Sequence, residues 1–196
     1  MSRSFLYTSR AGAPDGVPVL VFHDRYGLLR DAEALGDDLD DAVIRIAVQS
    51  PRAQSAGGTG ITKGFFWYIG PLQTPELSTL GDGLYQLELL LEETFERYGR
   101  RRIGLYGRGE GGVVAMLAGL IFPDRVGAVV ALDAPFPTNF ELMPLELRPL
   151  EGLPVMLNDA AAVEQLTRRG ARVTTADADP RPETIATFLL RGASAA

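Results

Sequence analysis

The 196-residue chain has no cysteine, one histidine and one tryptophan. Without thiols it can form no disulfide, present no thiolate nucleophile and hold no metal through sulfur. His23 is the only imidazole and only Asp24 stands beside it, so no metal-ligand spacing is present and no metal or cofactor is expected. Lysine is as scarce: Lys63 is the only one, and every other basic residue is arginine. No apolar run approaches the roughly 20 residues needed to span a bilayer. The opening "MSRSFLYTSRAGAPDG" lacks the basic region and apolar core of a secretory signal, so a cytoplasmic location is expected. Positive charge is in deficit, with a net charge of -6, and that field disfavours nucleic acid and anionic membranes as partners. The local exception is "RYGRRR", Arg97 to Arg102. It is read as the end of a long helix, where cations complement exposed carbonyls, in preference to a phosphate or nucleic-acid contact.

Hydrophobic residues make up 46% and charged residues 22%, the balance of an ordinary globular protein. The length suits one domain with one sizeable core, expected over 1–191, with a loose tail at 192–196. Apolar strand-like runs alternate with helical patterns. "VPVLVFH" (Val17 to His23) and "VIRIAV" (Val43 to Val48) read as strands, with the amphipathic "LLRDAEALGDDLDDA" between them. A glycine- and serine-rich segment from Gln49 to Pro75 reads as irregular. Leu80, Leu84, Leu87, Leu91 and Phe95 recur at helical spacing and predict a long helix over Ser78 to Tyr98. Further strands are expected in "RVGAVVAL", "LPVMLND" and "ARVTTAD", and helices in "AAVEQLTRRG" and "PETIATFLL". The alternation predicts an α/β protein with a doubly wound, mostly parallel sheet in a compact single domain.

The stretch "IGLYGRGEGGVVAMLAGL" (Ile103 to Leu120) carries the chemistry. A strand, a glycine-dense turn and a helix follow one another, and two different sites use that layout. Gly107, Gly109 and Gly112 match the G-x-G-x-x-G of a dinucleotide-binding turn, with Asp133 at the end of the next strand as the ribose-binding acid. Against this, the turn comes late in the chain, and Glu110 would place a negative charge at the phosphate. The same residues also match a nucleophile elbow, G-x-S-x-G, with Gly109 in the place of the serine.

The second reading gathers more of the chain. "VLVFHDRYG", then "VQSPRAQSAGGTGITKGFFWY", then "GRGEGGVVAMLAGLIFPDRVGAVVALDAPFP" and the closing "ETIATFLL" occur in order. Together they resemble the phospholipase/carboxylesterase family of α/β-hydrolases, relatives of the acyl-protein thioesterases. The resemblance implies an α/β-hydrolase fold and a Ser, Asp, His triad in that chain order. Carried over, the nucleophile position is Gly109. The acid position follows "LPVMLN", where Asn158 and Asp159 lead straight into a helix. The base position falls in Asp177 to Glu183, which contains no histidine. The family's glycine after the strand-end histidine is Asp24 here, which alters the loop that would supply part of the oxyanion hole.

The resemblance therefore implies a hydrolase with a degenerate triad, binding a ligand or partner without catalysis. His23 is expected to pack as a structural residue at a strand end. Glu110 is expected to be an exposed helix-start carboxylate favoured by the helix dipole. Ser50, before Pro51, suits a turn. Phe65, Phe66, Trp67 and Tyr68 either form a lid over an acyl groove or anchor a long loop to the core. The expected ligand pocket comprises His23, Arg25, Tyr26, Trp67, Gly109 and Glu110 and takes a small acyl or aromatic ligand; a homodimer is the expected protein partner. Two alternatives stay open: an esterase-like hydrolase using non-standard groups around His23 and Glu110, and a nucleotide-binding protein using the "GRGEGG" turn.

Overall fold

The computed structural model describes residues 6–13, 15–58, 60–145 and 147–194. The strands are β1 Tyr7–Ala11, β2 Val17–Phe22, β3 Val43–Gln49, β4 Arg52–Ser55, β5 Thr62–Phe66, β6 Ile103–Arg108, β7 Val126–Leu132, β8 Pro154–Leu157 and β9 Arg172–Thr175. The helices are α1 Leu29–Asp37, α2 Leu77–Arg97, α3 Gly109–Ile121, α4 Ala160–Arg168 and α5 Pro182–Ser194. Seven strands form one sheet in the order β1-β3-β2-β6-β7-β8-β9, and every pairing is parallel except β1 with β3. β4 and β5 form a separate antiparallel hairpin.

The central strands are buried on both faces, which is why "VPVLVF" and "VGAVVAL" are nearly continuous apolar runs rather than alternating ones. One face of the sheet packs with α2, α3 and α4 around Leu20, Leu87, Leu105, Leu117 and Leu166. The other packs with α1 and α5 around Val19, Val21, Tyr106, Val130, Ile185 and Leu189. α3 is apolar around its whole circumference, and all of it but Ile121 is buried between the sheet and α2. The doubly wound parallel sheet expected from the sequence is present, in a single compact domain.

Three local features differ from the sequence reading. β1 is an exposed edge strand whose polar residues carry no period-two signal. The segment expected to be irregular contains the β4–β5 hairpin, joined through glycines at positive φ, Gly57, Gly58 and Gly60. The expected tail is in part helix: α5 continues to Ser194, and Gly192 packs against β7, where a Cβ would come 2.5 Å from the Ala128 Cβ. Residues 195 and 196 lie outside the described ones. No helix among the described residues is long and apolar enough to cross a membrane.

Candidate functional site

β2 and β6 are parallel neighbours, with Phe22 opposite Gly107, so the turns leaving their C-terminal ends lie side by side. One turn runs from His23 to Gly27 and the other from Arg108 into α3. Their backbones meet closely: a Cβ on Gly111 would stand 2.5 Å from the His23 carbonyl oxygen. A Cβ on Gly112 would lie 2.8 Å from the Ala134 Cβ, so this glycine serves the packing of α3 on the end of β7.

Gly109 opens α3 in the left-handed region, with φ +53. A Cβ there would lie 2.1 Å from Asp24 Oδ1 and 2.5 Å from Oδ2, so the Asp24 carboxylate fills the space a nucleophile side chain would take. Asp24 Oδ1 accepts the backbone N–H of Glu110 and that of Arg25, each at 2.7 Å. In an elbow hydrolase, the oxyanion hole is built from the N–H after the nucleophile and an N–H of the loop after the neighbouring strand. Here one carboxylate oxygen sits between the two N–H groups at those places. A tight turn closed by the Gly27 N–H to the Asp24 carbonyl holds the carboxylate there, with Tyr26 at φ +63.

Glu110 was expected on the surface and is instead fully buried. Its Oε2 accepts the Trp67 N–H at 3.0 Å; its Oε1 accepts the Tyr68 N–H at 3.4 Å and Arg25 Nη2 at 2.8 Å. Burial raises its pKa above the ordinary carboxylate value, against the opposing pull of the Trp67 amide and the Arg25 guanidinium. The carboxylate thus ties the 67–68 loop to the start of α3. No local pattern announces this, because its partners lie more than forty residues away in sequence.

His23 is buried, and both ring nitrogens are engaged. Nε2 accepts the Ser50 N–H at 3.0 Å, and Nδ1 lies 2.6 Å from the Asp24 carbonyl oxygen. That pattern requires the neutral ring with its proton on Nδ1. Burial lowers its pKa, keeping it neutral, and no lone pair is left to act as a base. Trp67 is only 1% exposed; it packs edge-on against Phe22 at 5.5 Å and donates Nε1–H to the His23 carbonyl. It is an anchor of the loop and not a lid.

The acid and base positions converge on the same edge with other chemistry. Asn158 donates Nδ2–H to Asp133 Oδ1 at 2.9 Å and accepts the Asp133 N–H at 2.7 Å. Asp159 caps α4 through the Ala162 N–H. Arg108 donates to Asp133 at 3.3 Å and to Asp179 at 2.5 Å, tying the base-position loop to the end of β6. Asp133, the acid of the dinucleotide reading, is occupied by these two partners. Among the described residues no group of three or more His, Cys, Asp or Glu could hold a metal ion.

Of the six expected pocket residues, His23, Trp67, Gly109 and Glu110 lie below the surface, and Arg25 and Tyr26 line a cleft. It measures about 110 Å³ and is walled by Phe66, Tyr68 and Ile69 with Gln54 at its rim. The Arg25 guanidinium lies over the Tyr68 ring at 5.5 Å. Arg25 Nε is buried without a hydrogen-bond partner among the described residues.

No protein-family model matches the chain, and no curated protein sequence matches it. Solved structures do. A carboxylesterase from Bacillus cereus aligns with TM-score 0.70 at 16% identity, over 96% of this chain and 92% of that one. The esterase PE8 aligns with TM-score 0.67 at 20% identity, over 96% and 99%. Acyl-protein thioesterase 2 of Zea mays aligns with TM-score 0.64 at 12% identity, over 89% and 91%. At these identities the likeness is one of architecture, and it spans nearly the whole length of both partners. The seven-stranded sheet, the turn of Gly109 at its C-terminal edge and these structural likenesses together make the chain an α/β-hydrolase-fold protein.

Proposed function

We propose that this is a catalytically silent α/β-hydrolase-fold protein, which binds a small acyl or aromatic ligand beside its closed oxyanion hole and does not cleave it. The observation that carries this reading is Asp24 Oδ1, held at 2.7 Å by the N–H groups of both Glu110 and Arg25. An elbow enzyme stripped of its triad keeps roughly 10³–10⁴-fold over water from its oxyanion hole and binding alone. Here the hole already contains a negative charge, which an oxyanion would have to displace. The cleft of Arg25, Tyr26, Phe66 and Tyr68 offers aromatic walls beside that blocked centre, and supports the binding half of the reading.

Hydrolysis of short-chain aryl esters decides the catalytic half. The expected result is no turnover above the buffer rate. Turnover that His23→Ala or Glu110→Gln abolishes would establish the non-standard hydrolase instead. For the binding half, thermal shift with short-chain and aromatic acids should raise the melting temperature, and Tyr26→Ala should diminish the effect. A shift with NAD, absent with those acids, would favour a nucleotide at the glycine turn.

A further inference from the structure

The arginine run of Arg97 to Arg102 is divided by the fold. Arg97 pairs with Glu93 at 2.8 Å and Arg100 with Glu96 at 3.0 Å, one helical turn apart. Arg101 donates to the carbonyls of Asp15 and Gly16 at the start of β2. Arg102 is left over. It is half-buried at the opposite edge of the sheet from Gly109, and among the described residues it has no ion-pair partner.

Arg102 lines a cleft of about 490 Å³ at the N-terminal ends of the strands. Arg172, the first residue of β9, lines the same cleft and likewise has no ion-pair partner among the described residues. β7 and β8 lie between β6 and β9, so the two arginine backbones stand about three strand spacings, roughly 14 Å, apart across the sheet, with a further offset of about two residues along the strands. Arg148 is a third guanidinium on the wall and is paired with Asp124. Glu151 is the other acid of the lining. At its base Gly127 and Gly192 let α5 pack directly on β7: a Cβ on Gly192 would lie 2.6 Å from the Gly127 carbonyl oxygen. Three guanidinium groups thus face two carboxylates, a local excess of positive charge on a chain of net charge -6.

We infer that this cleft is a binding site for a small phosphorylated ligand carrying two adjacent anionic groups, a diphosphate or a nucleoside diphosphate, clamped between Arg102 and Arg172. Planar guanidinium groups bind phosphate oxygens in pairs, and Arg102 and Arg172 line one cleft without a carboxylate partner among the described residues. The separation suits a ligand longer than one phosphate. The site is independent of Gly109 and Asp24, on the far edge of the sheet.

The test is calorimetric titration with pyrophosphate, inorganic phosphate, sulfate and ADP at one fixed ionic strength. Saturable binding of pyrophosphate, tighter than that of phosphate or sulfate, is expected. Arg172→Gln and Arg102→Gln should each weaken it roughly tenfold, and the double variant should lose it. Arg100→Gln, whose partner is Glu96, should leave it unchanged. ADP bound at least as tightly as pyrophosphate identifies a nucleotide as the phosphate source, and exclusion of ADP identifies a free diphosphate. An equal response to sulfate and pyrophosphate, no saturable binding at millimolar concentration, or binding that survives in the double variant overturns the assignment. Arg172 is exposed, so its variant reads the site without disturbing the core.

Discussion

Gly109 and Asp24 occupy one volume between them. A serine at 109 would carry its Cβ into the Asp24 carboxylate and would also have to hold φ +53. Gly109→Ser is therefore expected to lower stability by about 1–3 kcal/mol, read by urea unfolding, and to give no ester turnover, since His23 has no free nitrogen. Combining it with Asp24→Gly should recover part of that loss, a coupling that two independent sites would not show. Strong turnover from Gly109→Ser alone would mean that a base reaches position 109. The neighbouring Glu110 yields a pH prediction. Its native pKa is raised above 4.5, so between that value and its native one the folded chain binds more protons than the unfolded chain. The contribution of Glu110 to stability is then full below 4.5 and declines as pH rises through that window. Glu110→Gln, compared with the parent by chemical unfolding across that window, should remove this decline; an identical pH slope in both would contradict it. The substitution should also destabilise the fold, because Arg25 loses its buried carboxylate partner.

At the scale of elements, α2 shows the opposite pH behaviour. Its cap, Glu76, accepts the N–H groups of Ser78 and Thr79 and both of their hydroxyls contribute, so its pKa falls to about 2. That depression stabilises the fold above 4.5 and is lost as pH falls from 4.5 towards about 2. Glu76→Ala should be less stable than the parent at neutral pH, and the gap should close over that acid range. The elements legible in the sequence are those whose burial leaves a pattern: β2 and β7 as apolar runs, α2 as a stripe of leucines. β1 and the β4–β5 hairpin left none, because an edge strand and an exposed hairpin can carry polar residues at any position. In the site, the missing serine at 109 and the missing histidine near Asp179 were legible, since an absence of functional groups is a property of the sequence. The Asp24 carboxylate on the N–H groups of Glu110 and Arg25 was not, because it depends on two turns being brought together by the pairing of β2 with β6.

On the scale of the molecule, the two apolar layers share one sheet, and α3 and α5 pack on opposite sides of β6 and β7. Neither layer can lose its packing while the strands stay in place. Trp67, the only tryptophan, lies in the layer with α2 and α3, and Tyr106 in the layer with α1 and α5. Unfolding by urea should accordingly give one transition, with Trp67 fluorescence and far-ultraviolet circular dichroism coinciding. Separate midpoints would show that the layers melt independently. By itself the sequence determined the alternation of strand and helix, the α/β sheet, the glycine at 109 and the lack of histidine from Asp177 to Glu183, because periodicity and residue type are local quantities. Only the tertiary structure decided that Glu110 is buried, that His23 has no free nitrogen and that the Asp24 carboxylate takes the N–H groups of Glu110 and Arg25. Each of those follows from contacts between segments distant in the chain, whose energies no local pattern encodes.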